Sequence, residues 1–348
     1  MASPALEISP GNLKPYLVNR GLWRPEDDLL VRELGGGVSN IVLLAEGSGP
    51  NKSNHRWVVK QSLDKLRVED DWRSERERIF REAEAIQSLR DVLGHRSLPE
   101  IIDIDRQNYA YVMTAAPLGS KVWKELLLAG QVDLEIGRKA GELLAMLMSA
   151  THNRPHLRGP FEDRTVFDQL RIDPYYRTTA SRHPELKAAY EQLIADSWGI
   201  RTALVHGDYS PKNMLIKDGD IFLIDFEVVH WGDPAFDSGF LLNHLFLKAL
   251  HQPGFAELYF QAARGFWQAL VAGIESHRHS NLEKMTVRHL GGLMLARIDG
   301  KSPVEYLRDE GTRERARQLA RNILLEPPES LDEAISLALS KIQTSGVF

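Results

Sequence analysis

The sequence predicts an α+β fold with two lobes, of which the amino-terminal one is rich in β-strands and the carboxyl-terminal one is mainly helical. Short apolar runs of strand type occupy the first third of the chain, and longer segments with helical periodicity occupy the rest. The 348 residues exceed one typical domain, and 43% of them are hydrophobic, which suffices for a sizeable core. We therefore predict two domains, residues 1–116 and residues 117–348.

The first elements of the amino-terminal lobe have the pattern strand, glycine-rich loop, strand. Gly35, Gly36 and Gly37 lie between two apolar runs, and Ser39 follows shortly after them. Glycine residues allow backbone N–H groups to approach a phosphate closely, and a cluster of such groups binds anions. The alternative for this glycine-rich loop, residues 35–39, is an ordinary turn without a ligand.

The next strand ends at a lysine, and the helix after it carries two glutamates. Lys60 closes an apolar run, and helical periodicity predicts a helix over residues 73–93 that contains Glu82 and Glu84. The two glutamates lie about 200° apart around that helix, so one of them at most faces the strand. The alternatives are a lysine that guards a strand edge and glutamates that are solvated.

A β-hairpin is predicted around Asp218-Gly219, a strong turn signal between two short apolar runs. Folding about this turn brings Asn213 and Asp225 to the same end of the hairpin. A three-residue loop would place these two residues directly opposite each other, whereas a two-residue loop would shift them by one position. The sequence leaves this register open.

Three polar residues near that end of the hairpin fit the chemistry of phosphoryl transfer. This reaction needs a carboxylate near the attacking hydroxyl group and hard oxygen ligands for the magnesium ion that bridges the nucleotide phosphates. Asp208 fits the first role, and Asn213 and Asp225 fit the second. The alternative is a hairpin whose polar ends have no function.

Apolar residues recur at helical spacing through most of the carboxyl-terminal lobe. The segments predicted as helices there are residues 133–150, 240–250, 255–274, 285–298, 313–325 and 331–342. Since these helices follow the strands instead of alternating with them, the pattern indicates an α+β arrangement.

Composition and charge exclude several classes of protein. The chain has no cysteine, so it has no disulfide bond, thiol nucleophile or thiolate metal site. A net charge of −5 provides no basic surface for nucleic acid. No run approaches the ~18–20 apolar residues of a membrane span, and the amino terminus lacks the pattern of a secretory signal. We expect a cytoplasmic protein without a nucleic acid or membrane partner, and the oligomeric state stays open.

Three sequence blocks together resemble the aminoglycoside phosphotransferase and choline kinase superfamily. They are HGDYSPKN at residues 206–213, IDFE at residues 224–227 and GDPAFD at residues 232–237. Members of this superfamily are small-molecule kinases, and the resemblance implies their protein-kinase-like two-lobed fold for this chain. Protein kinases carry Arg and Gly at the positions of Gly207 and Glu227, where this chain differs from them.

The resemblance implies an enzyme that uses ATP and Mg²⁺ to phosphorylate a hydroxyl group. Asp208 would be the catalytic residue, and Asn213 and Asp225 would bind the metal. Residues 1–116 would form the nucleotide-binding lobe, and residues 117–348 the catalytic and substrate-binding lobe. The implied cofactor-binding residues are Gly35, Gly36, Gly37, Ser39, Lys60, Glu82, Thr114 and Ala116.

The resemblance also implies how several of these residues act. Lys60 would bind the α- and β-phosphates. Glu82, which matches the superfamily pattern better than Glu84, would hold Lys60 in place. The Thr114 carbonyl and the Ala116 N–H would pair with the edge of the adenine base.

Two further residues of the motif blocks are expected to support the catalytic loop. His206 would brace this loop instead of transferring protons. Asp237 matches a superfamily acid that supports the loop. The alternative is that Asp237 only caps a helix.

The resemblance does not identify the acceptor, because substrate specificity in this superfamily lies in the helical lobe. An aminoglycoside, an amino-alcohol and a sugar all stay open. A protein Ser/Thr kinase and a non-catalytic nucleotide-binding regulator are the two alternative function classes. Candidate residues of the acceptor pocket are Tyr175, Tyr176, Glu227, Trp231, Asp233, Trp267, Asp299 and Glu305.

Overall fold

The computed structural model describes residues 5–35, 39–48, 54–67, 72–275 and 279–343. Gly36 and Gly37, two of the predicted cofactor-binding residues, therefore lie outside the described residues. The chain divides into two compact units, Met1–Leu118 and Gly119–Phe348. The domain boundary predicted after residue 116 stays a prediction.

The first unit consists of a short helix, five strands and a longer helix among its described residues. Its elements in chain order are α1 Leu13–Asn19, β1 Leu29–Glu33, β2 Asn40–Ser48, β3 Asn54–Ser62, α2 Arg78–Leu93, β4 Ile101–Asp105 and β5 Ala110–Thr114. The strands form one antiparallel sheet in the order β1-β2-β3-β5-β4. The predicted β-rich amino-terminal lobe is confirmed.

Alternation of side chains along the strands gives this sheet two apolar faces. Leu43 of β2 packs with α1 on one face, whereas Leu44 of β2 and Val58 of β3 pack with Ile79 of α2 on the other. Burial of each such side chain contributes roughly 1.5–3 kcal/mol to folding. Lys60 lies two residues after Val58, so the pleat of β3 directs it to the face that α2 covers.

Helix α2 begins at Arg78, so the start predicted at residue 73 is wrong. Two residues shortly before Arg78 are paired with an earlier segment of the chain. Arg73 forms a β-bridge with Lys65, and the Ser74 N–H donates to the Asp64 carbonyl at 3.3 Å. This pairing uses backbone groups that a longer helix would need.

The second unit is mainly helical. Its described strands are β6 Lys121–Val122, β7 Ala203–Val205, β8 Met214–Lys217, β9 Asp220–Leu223 and β10 His230–Gly232. Its described helices are α3 Trp123–Leu128, α4 Leu134–Thr151, α5 Pro155–Arg158, α6 Thr165–Phe167, α7 Thr178–Arg182, α8 Lys187–Gly199, α9 Ala235–His251, α10 Ala256–Ala272, α11 His279–Asp299, α12 Glu310–Leu325 and α13 Leu331–Gln343. A π-helical segment occupies Asp168–Arg177. Strands β6, β8 and β9 form one antiparallel sheet, and β7 pairs with β10.

The predicted helices of this unit are all present, and the largest differences are at two amino-terminal ends. Helix α9 begins at Ala235 instead of residue 240, and α11 begins at His279 instead of residue 285. The first turns of both helices contain polar and small residues, so the apolar spacing does not extend to them. Among the described residues, no helix combines the length and the apolar character that crossing a membrane requires.

Helix α9 is the central helix of the second unit, since every residue from Ala235 to Leu250 is buried. It packs against α10 and α11. Three of its polar residues, Asp237, His244 and Lys248, therefore lie in the protein interior. Buried polar groups are costly unless they have partners, so the contacts of these three residues matter for stability.

Candidate active site

Residues 206–213 connect β7 to β8 and carry the predicted catalytic residue. Strand β7 pairs with β10, and the chain turns just beyond it. Gly207 makes this turn with φ +77°, and a Cβ atom there would lie 2.8 Å from the Val228 side chain and carbonyl. A larger residue does not fit unless the backbone shifts, which explains a glycine at the position where protein kinases carry arginine.

His206 joins two segments of backbone at this turn. Its Nδ1 accepts a hydrogen bond from the Asp208 N–H at 3.1 Å, and its Nε2 donates to the Ile224 carbonyl at 3.2 Å. These two contacts require the neutral ring with its proton on Nε2. Burial lowers the pKa of His206 to about 4, so the ring is neutral at physiological pH. The geometry agrees with the predicted bracing role.

Asp237 fixes the backbone on the other side of the same turn. Its Oδ2 accepts from the His206 N–H at 2.7 Å, and its Oδ1 accepts from the Gly207 N–H at 2.8 Å. Burial raises the pKa of Asp237 to about 7, although the two N–H donors oppose that rise. The side chain bonds to the catalytic loop and not to its own helix, so the supporting role is the one that fits.

Asp208 is a buried carboxylate held by two cations. Arg171 Nη2 lies 3.0 Å and Lys212 Nζ lies 2.9 Å from Asp208 Oδ2. Burial alone would raise the pKa of Asp208, but the charges of Arg171 and Lys212 outweigh it and hold that pKa far below its ordinary value. The other oxygen, Oδ1, is buried and has no hydrogen-bond partner among the described residues. Asp208 is thus ionised with one oxygen uncommitted, as a residue that orients a hydroxyl group requires.

Arg171 is a residue of this site that the sequence did not reveal. It lies in the π-helical segment, far from Asp208 in sequence, and its Nε also donates to the Gly207 carbonyl at 2.6 Å. The Arg171 side chain is 7% exposed, against 44% for Lys212. In the sequence, Asp208 itself points to a nearby cation, because a buried carboxylate requires one. No sequence pattern indicates which arginine supplies it.

The β8–β9 hairpin has the two-residue loop Asp218-Gly219, with positive φ angles of 50° and 79°. Positive φ at both central residues suits the right-handed twist of a hairpin. The ladder continues as far as the Ile224 N–H, which donates to the Asn213 carbonyl at 3.0 Å. Asn213 therefore lies opposite Ile224, and Asp225 follows one position later. Of the two registers that the sequence left open, the structure has the shifted one.

Asn213 and Asp225 supply oxygen atoms that suit a hard divalent cation. Asn213 Nδ2 donates to the Asp208 carbonyl at 2.9 Å, which fixes the amide group and leaves Oδ1 as its acceptor. Asp225 has φ +72°, a strained conformation for a non-glycine residue. Strain of this kind persists where the surrounding structure holds a side chain at one required place. An amide oxygen and a carboxylate fit the predicted Mg²⁺, and the assignment of these two ligands stays a prediction.

In the first unit, Lys60 and Glu82 form a buried ion pair. Lys60 Nζ lies 2.9 Å from Glu82 Oε1 and 2.8 Å from Oε2. The two side chains are 6% and 1% exposed, whereas Glu84 is exposed. The choice of Glu82 over Glu84 as the partner of Lys60 is confirmed, and the binding of nucleotide phosphates by Lys60 stays a prediction.

The end of the glycine-rich loop is fixed at Ser39. The Ser39 carbonyl accepts a hydrogen bond from Arg78 Nη2 of α2 at 2.6 Å. Gly35 is exposed, and a Cβ atom there would meet nothing within 4 Å. Gly36 and Gly37 lie outside the described residues. The covering of phosphates by this loop stays a prediction.

Thr114 and Ala116 lie at and just beyond the end of β5, where Arg56 holds the backbone. The Ala115 N–H donates to the Arg56 carbonyl at 2.9 Å, and Arg56 Nη1 donates to the Ala116 carbonyl at 2.8 Å. These contacts give the segment a defined conformation, and its pairing with adenine stays a prediction.

The residues predicted for the acceptor pocket do not form one cluster. Tyr176 and Asp233 both hydrogen-bond to His289, at 2.7 Å and 3.1 Å, in the core of the second unit. Asp299 pairs with Arg317 at 2.8 Å. Packing thus gives Tyr176, Asp233 and Asp299 partners within the second unit.

Tyr175 is the residue of that set with direct contacts to the surroundings of Asp208. The guanidinium carbon of Arg171 lies 5.6 Å from the centre of the Tyr175 ring, and Arg297 Nη1 donates to Tyr175 Oη at 3.2 Å. Burial raises the pKa of Tyr175, but the charges of Arg297 and Arg171 outweigh it and lower that pKa. The surroundings of Asp208 are therefore richer in cations than the sequence led us to expect.

Comparison with known proteins identifies the family of this chain and several similar proteins. Residues 30–274 match the model of the family described as "Phosphotransferase enzyme family". Methylthioribose kinase 2 from Oryza sativa subsp. japonica is 24% identical over 259 residues, which cover 66% of this chain and 59% of that protein. 4-Hydroxytryptamine kinase from Psilocybe cubensis is 25% identical over 249 residues, which cover 64% of this chain and 69% of that protein. This chain thus spans less than two thirds of the length of the Oryza sativa relative.

A solved structure has a similar fold. Amicoumacin kinase hAmiN in complex with AMP-PNP, Ca²⁺ and Ami superposes with a TM-score of 0.52 and 15% sequence identity, over 92% of this chain and 95% of that one. At this identity the similarity concerns the fold alone. Together with the element order of both units, it confirms the predicted fold class, and the family match confirms the predicted superfamily.

Proposed function

The chain belongs to the phosphotransferase enzyme family, and we propose that it transfers the γ-phosphoryl group of ATP to a hydroxyl group of a small molecule. The observation that carries this proposal is Asp208, a buried carboxylate kept ionised by Arg171 and Lys212 with one oxygen uncommitted. The relatives described above are named as kinases of small molecules, which supports a small-molecule acceptor over a protein acceptor.

Asp208 orients the acceptor hydroxyl and receives its proton. The proton passes to Asp208 Oδ1, the hydroxyl oxygen bonds to the γ-phosphorus, and the bond from that phosphorus to the β–γ bridging oxygen breaks to release ADP. Because its depressed pKa makes Asp208 a weak base, the proton moves late, when the bond to the leaving group is largely broken. Orientation of the hydroxyl is therefore the main contribution of Asp208.

Asn213 and Asp225 would hold the divalent metal, for which we propose Mg²⁺. One amide oxygen and one carboxylate are few ligands, which suits Mg²⁺ because it keeps water and nucleotide phosphate oxygens in its shell. When bound, the ion neutralises charge on the β- and γ-phosphates. The described residues offer no group of three His, Cys, Asp or Glu side chains that would hold a metal without such additional ligands.

The residues of the first unit would bind the nucleotide itself. Lys60 is held at one place by Glu82 and would pair with the α- and β-phosphates. The backbone N–H groups of the glycine-rich loop would cover the phosphates. The Thr114 carbonyl and the Ala116 N–H would pair with adenine. A cytoplasmic location and the absence of a nucleic acid partner stay predictions from the sequence.

An ATP-consumption screen tests the proposed reaction. The protein is incubated with ATP, Mg²⁺ and a panel of sugars, amino-alcohols, aminoglycosides and hydroxy acids, and ADP release and phosphorylated product are measured. We expect at least one acceptor to stimulate ADP release in the wild type and not in Asp208→Asn. Asp218→Asn is the matched control, because Asp218 is 81% exposed at the hairpin turn and asparagine tolerates its positive φ.

The same screen separates the alternatives. Phosphorylation of a generic protein substrate in place of the small molecules would favour a protein Ser/Thr kinase. Binding of ATP without turnover across the whole panel would favour a non-catalytic nucleotide-binding regulator.

A further inference from the structure

The two cations that pair with Asp208 differ in how firmly they are held themselves. Arg171 is engaged through every nitrogen of its guanidinium group. Its Nε donates to the Gly207 carbonyl at 2.6 Å, its Nη1 donates to the Leu170 carbonyl at 2.7 Å, and its Nη2 pairs with Asp208 at 3.0 Å. The Arg171 side chain is also 7% exposed. Arg171 is therefore a fixed partner, since its departure would leave a buried carboxylate and buried carbonyls without their donor.

Lys212 is held to Asp208 more weakly. Its Nζ lies 2.9 Å from Asp208 Oδ2, which is its one ion pair among the described residues. The Lys212 side chain is 44% exposed, and an ion pair of such a lysine adds little to stability because water competes for the ammonium group. An ammonium group has three N–H donors. Lys212 can therefore turn to a second anion at small cost.

The backbone that carries Lys212 is fixed between the proposed catalytic residue and a proposed metal ligand. Residues Pro211–Asn213 form a short 3-10 turn. The Asn213 N–H donates to the Ser210 carbonyl at 3.0 Å, and Asn213 Nδ2 donates to the Asp208 carbonyl at 2.9 Å. The half-exposed Lys212 side chain thus starts from a defined backbone position, directly before Asn213 in the sequence.

The proposed reaction brings the transferred phosphoryl group to this turn. The attacking hydroxyl oxygen lies at Asp208, and the γ-phosphate supplies oxygens to the ion that Asn213 and Asp225 would hold. During transfer, the phosphoryl group therefore lies beside these three residues of the second unit. Its equatorial oxygens carry negative charge, which a cation that donates to one of them stabilises. Lys212 has its nitrogen at hydrogen-bond distance from Asp208 and is thus within reach of these oxygens.

We propose that Lys212 is a catalytic residue, which turns from Asp208 Oδ2 to an oxygen of the γ-phosphate of bound ATP and stabilises the charge of that group during transfer. Arg171 stays with Asp208 throughout. The ammonium group donates hydrogen bonds and gives up no proton, so the hydroxyl proton still passes to Asp208 Oδ1 and ADP is still the leaving group. This role rests on the proposed phosphotransferase function. The alternative is that Lys212 acts only through Asp208, by offsetting the charge of that carboxylate.

Calorimetry with two nucleotides tests the contact without an acceptor. AMP-PNP retains the γ-phosphate and ADP lacks it, so the ratio of their affinities in the presence of Mg²⁺ reports contacts to that group. Lys212→Gln should weaken AMP-PNP binding roughly tenfold or more, the effect of losing one charge-assisted hydrogen bond, and should leave ADP binding unchanged. Lys212→Arg should keep most of the AMP-PNP affinity, because it keeps the charge.

Lys217→Gln is the matched control for the loss of a half-exposed lysine. Lys217 is 40% exposed and pairs with Asp218 at the turn of the β8–β9 hairpin. This variant should bind both nucleotides as the wild type does. Equal affinity ratios in the wild type and Lys212→Gln would overturn the role of Lys212 and leave the phosphotransferase intact.

A double-mutant cycle separates direct contact from an effect through Asp208. Asp208→Asn removes the carboxylate charge on which an indirect effect would depend. If Lys212 contacts the γ-phosphate, Lys212→Gln should weaken AMP-PNP binding in the Asp208→Asn background at least as much as in the wild type. Disappearance of the effect in that background would show that Lys212 acts only through Asp208, and the proposal would be overturned.

Kinetics with an acceptor from the screen then measure the contribution of Lys212 to the chemical step. Lys212→Gln should slow single-turnover transfer about 10²–10³-fold, the cost of removing one donor to developing charge, with little change in the KM for the acceptor. Unchanged transfer would overturn the catalytic role. Wild-type protein that binds AMP-PNP but transfers phosphate to no acceptor would instead overturn the proposed function, and the catalytic role of Lys212 with it.

Discussion

The two units hold their central charged residues in different ways. In the first unit, Lys60 and Glu82 form an almost fully buried ion pair of opposite charges. In the second unit, the single carboxylate of Asp208 is held by two cations, Arg171 and Lys212. A buried ion pair fixes the position of an ammonium group, whereas a surplus of cations also fixes the protonation state of a carboxylate. The difference agrees with the proposed roles, in which Lys60 binds phosphate and Asp208 acts as an ionised base.

The largest effect should come from removing Asp225, the carboxylate that we propose as a metal ligand. Asp225→Ala should lower turnover by about 10³-fold or more, since a bound metal supplies several kcal/mol of charge stabilisation. Asn213→Ala should be milder, because water can replace a neutral ligand. The measurement is kcat at saturating ATP, with circular dichroism to check the fold. Wild-type rates in Asp225→Ala at ordinary Mg²⁺ concentrations would contradict the assignment.

Asp208→Asn should separate nucleotide binding from the chemical step. The change keeps the size of the side chain and removes its charge, so transfer should fall by about 10²–10⁴-fold. Affinity for ADP should stay near that of the wild type, because Lys60 and Glu82 belong to the first unit and are unchanged. Calorimetry and single-turnover transfer give the two values. Loss of both would indicate that Asp208 acts in folding.

The two cations around Asp208 should differ in their effect on stability. Arg171 is 7% exposed and also bonds the Gly207 carbonyl, so Arg171→Gln should lower the free energy of unfolding by about 3–5 kcal/mol, the cost of breaking a buried pair. Lys212 is 44% exposed, and Lys212→Gln should cost under about 1 kcal/mol. Denaturant unfolding of both variants tests this difference, and equal costs would be inconsistent with it.

A smaller effect is expected at the Lys60–Glu82 ion pair of the first unit. Glu82→Gln loosens Lys60 and should raise the apparent KM for ATP roughly tenfold, the value of one charge-assisted hydrogen bond. Glu84→Gln is the matched control, because Glu84 lies exposed on the same helix. Initial rates against ATP concentration give both KM values. The pairing has no role in nucleotide binding if the two variants behave alike.

A further effect concerns the pH dependence of stability and Lys248, which has no acidic partner within 4 Å among the described residues. Burial lowers its pKa from an ordinary 10.5 to about 7 in the folded protein. Between these values the unfolded chain binds more protons than the folded one, so stability should rise with pH above 7, by about 1 kcal/mol per pH unit from this group. Lys248→Met should remove that part of the rise. The free energy of unfolding is measured for the wild type and Lys248→Met at pH 7, 8 and 9. The same change with pH in both proteins would contradict the assignment.

Sequence patterns were enough to predict features whose residues lie close together in the chain. Asp208, Asn213 and Asp225 belong to one loop and one hairpin, so turn chemistry alone brings them near each other. The helix period allowed only one of Glu82 and Glu84 to face the strand of Lys60, and the resemblance to the superfamily selected Glu82. Turn and helix signals of this kind depend on local backbone geometry, which the covalent chain determines over a few residues.

Tertiary packing decided what those local patterns left open. The register at Asn213 depended on whether the hairpin loop has two or three residues. The start of α2 at Arg78 depended on the β-bridge between Arg73 and Lys65. Arg171 comes to Asp208 from a π-helical segment that is far from it in the sequence. No local signal marks such groups, because the energy of a charge depends on its burial and on its neighbours, and both arise when distant parts of the chain fold together.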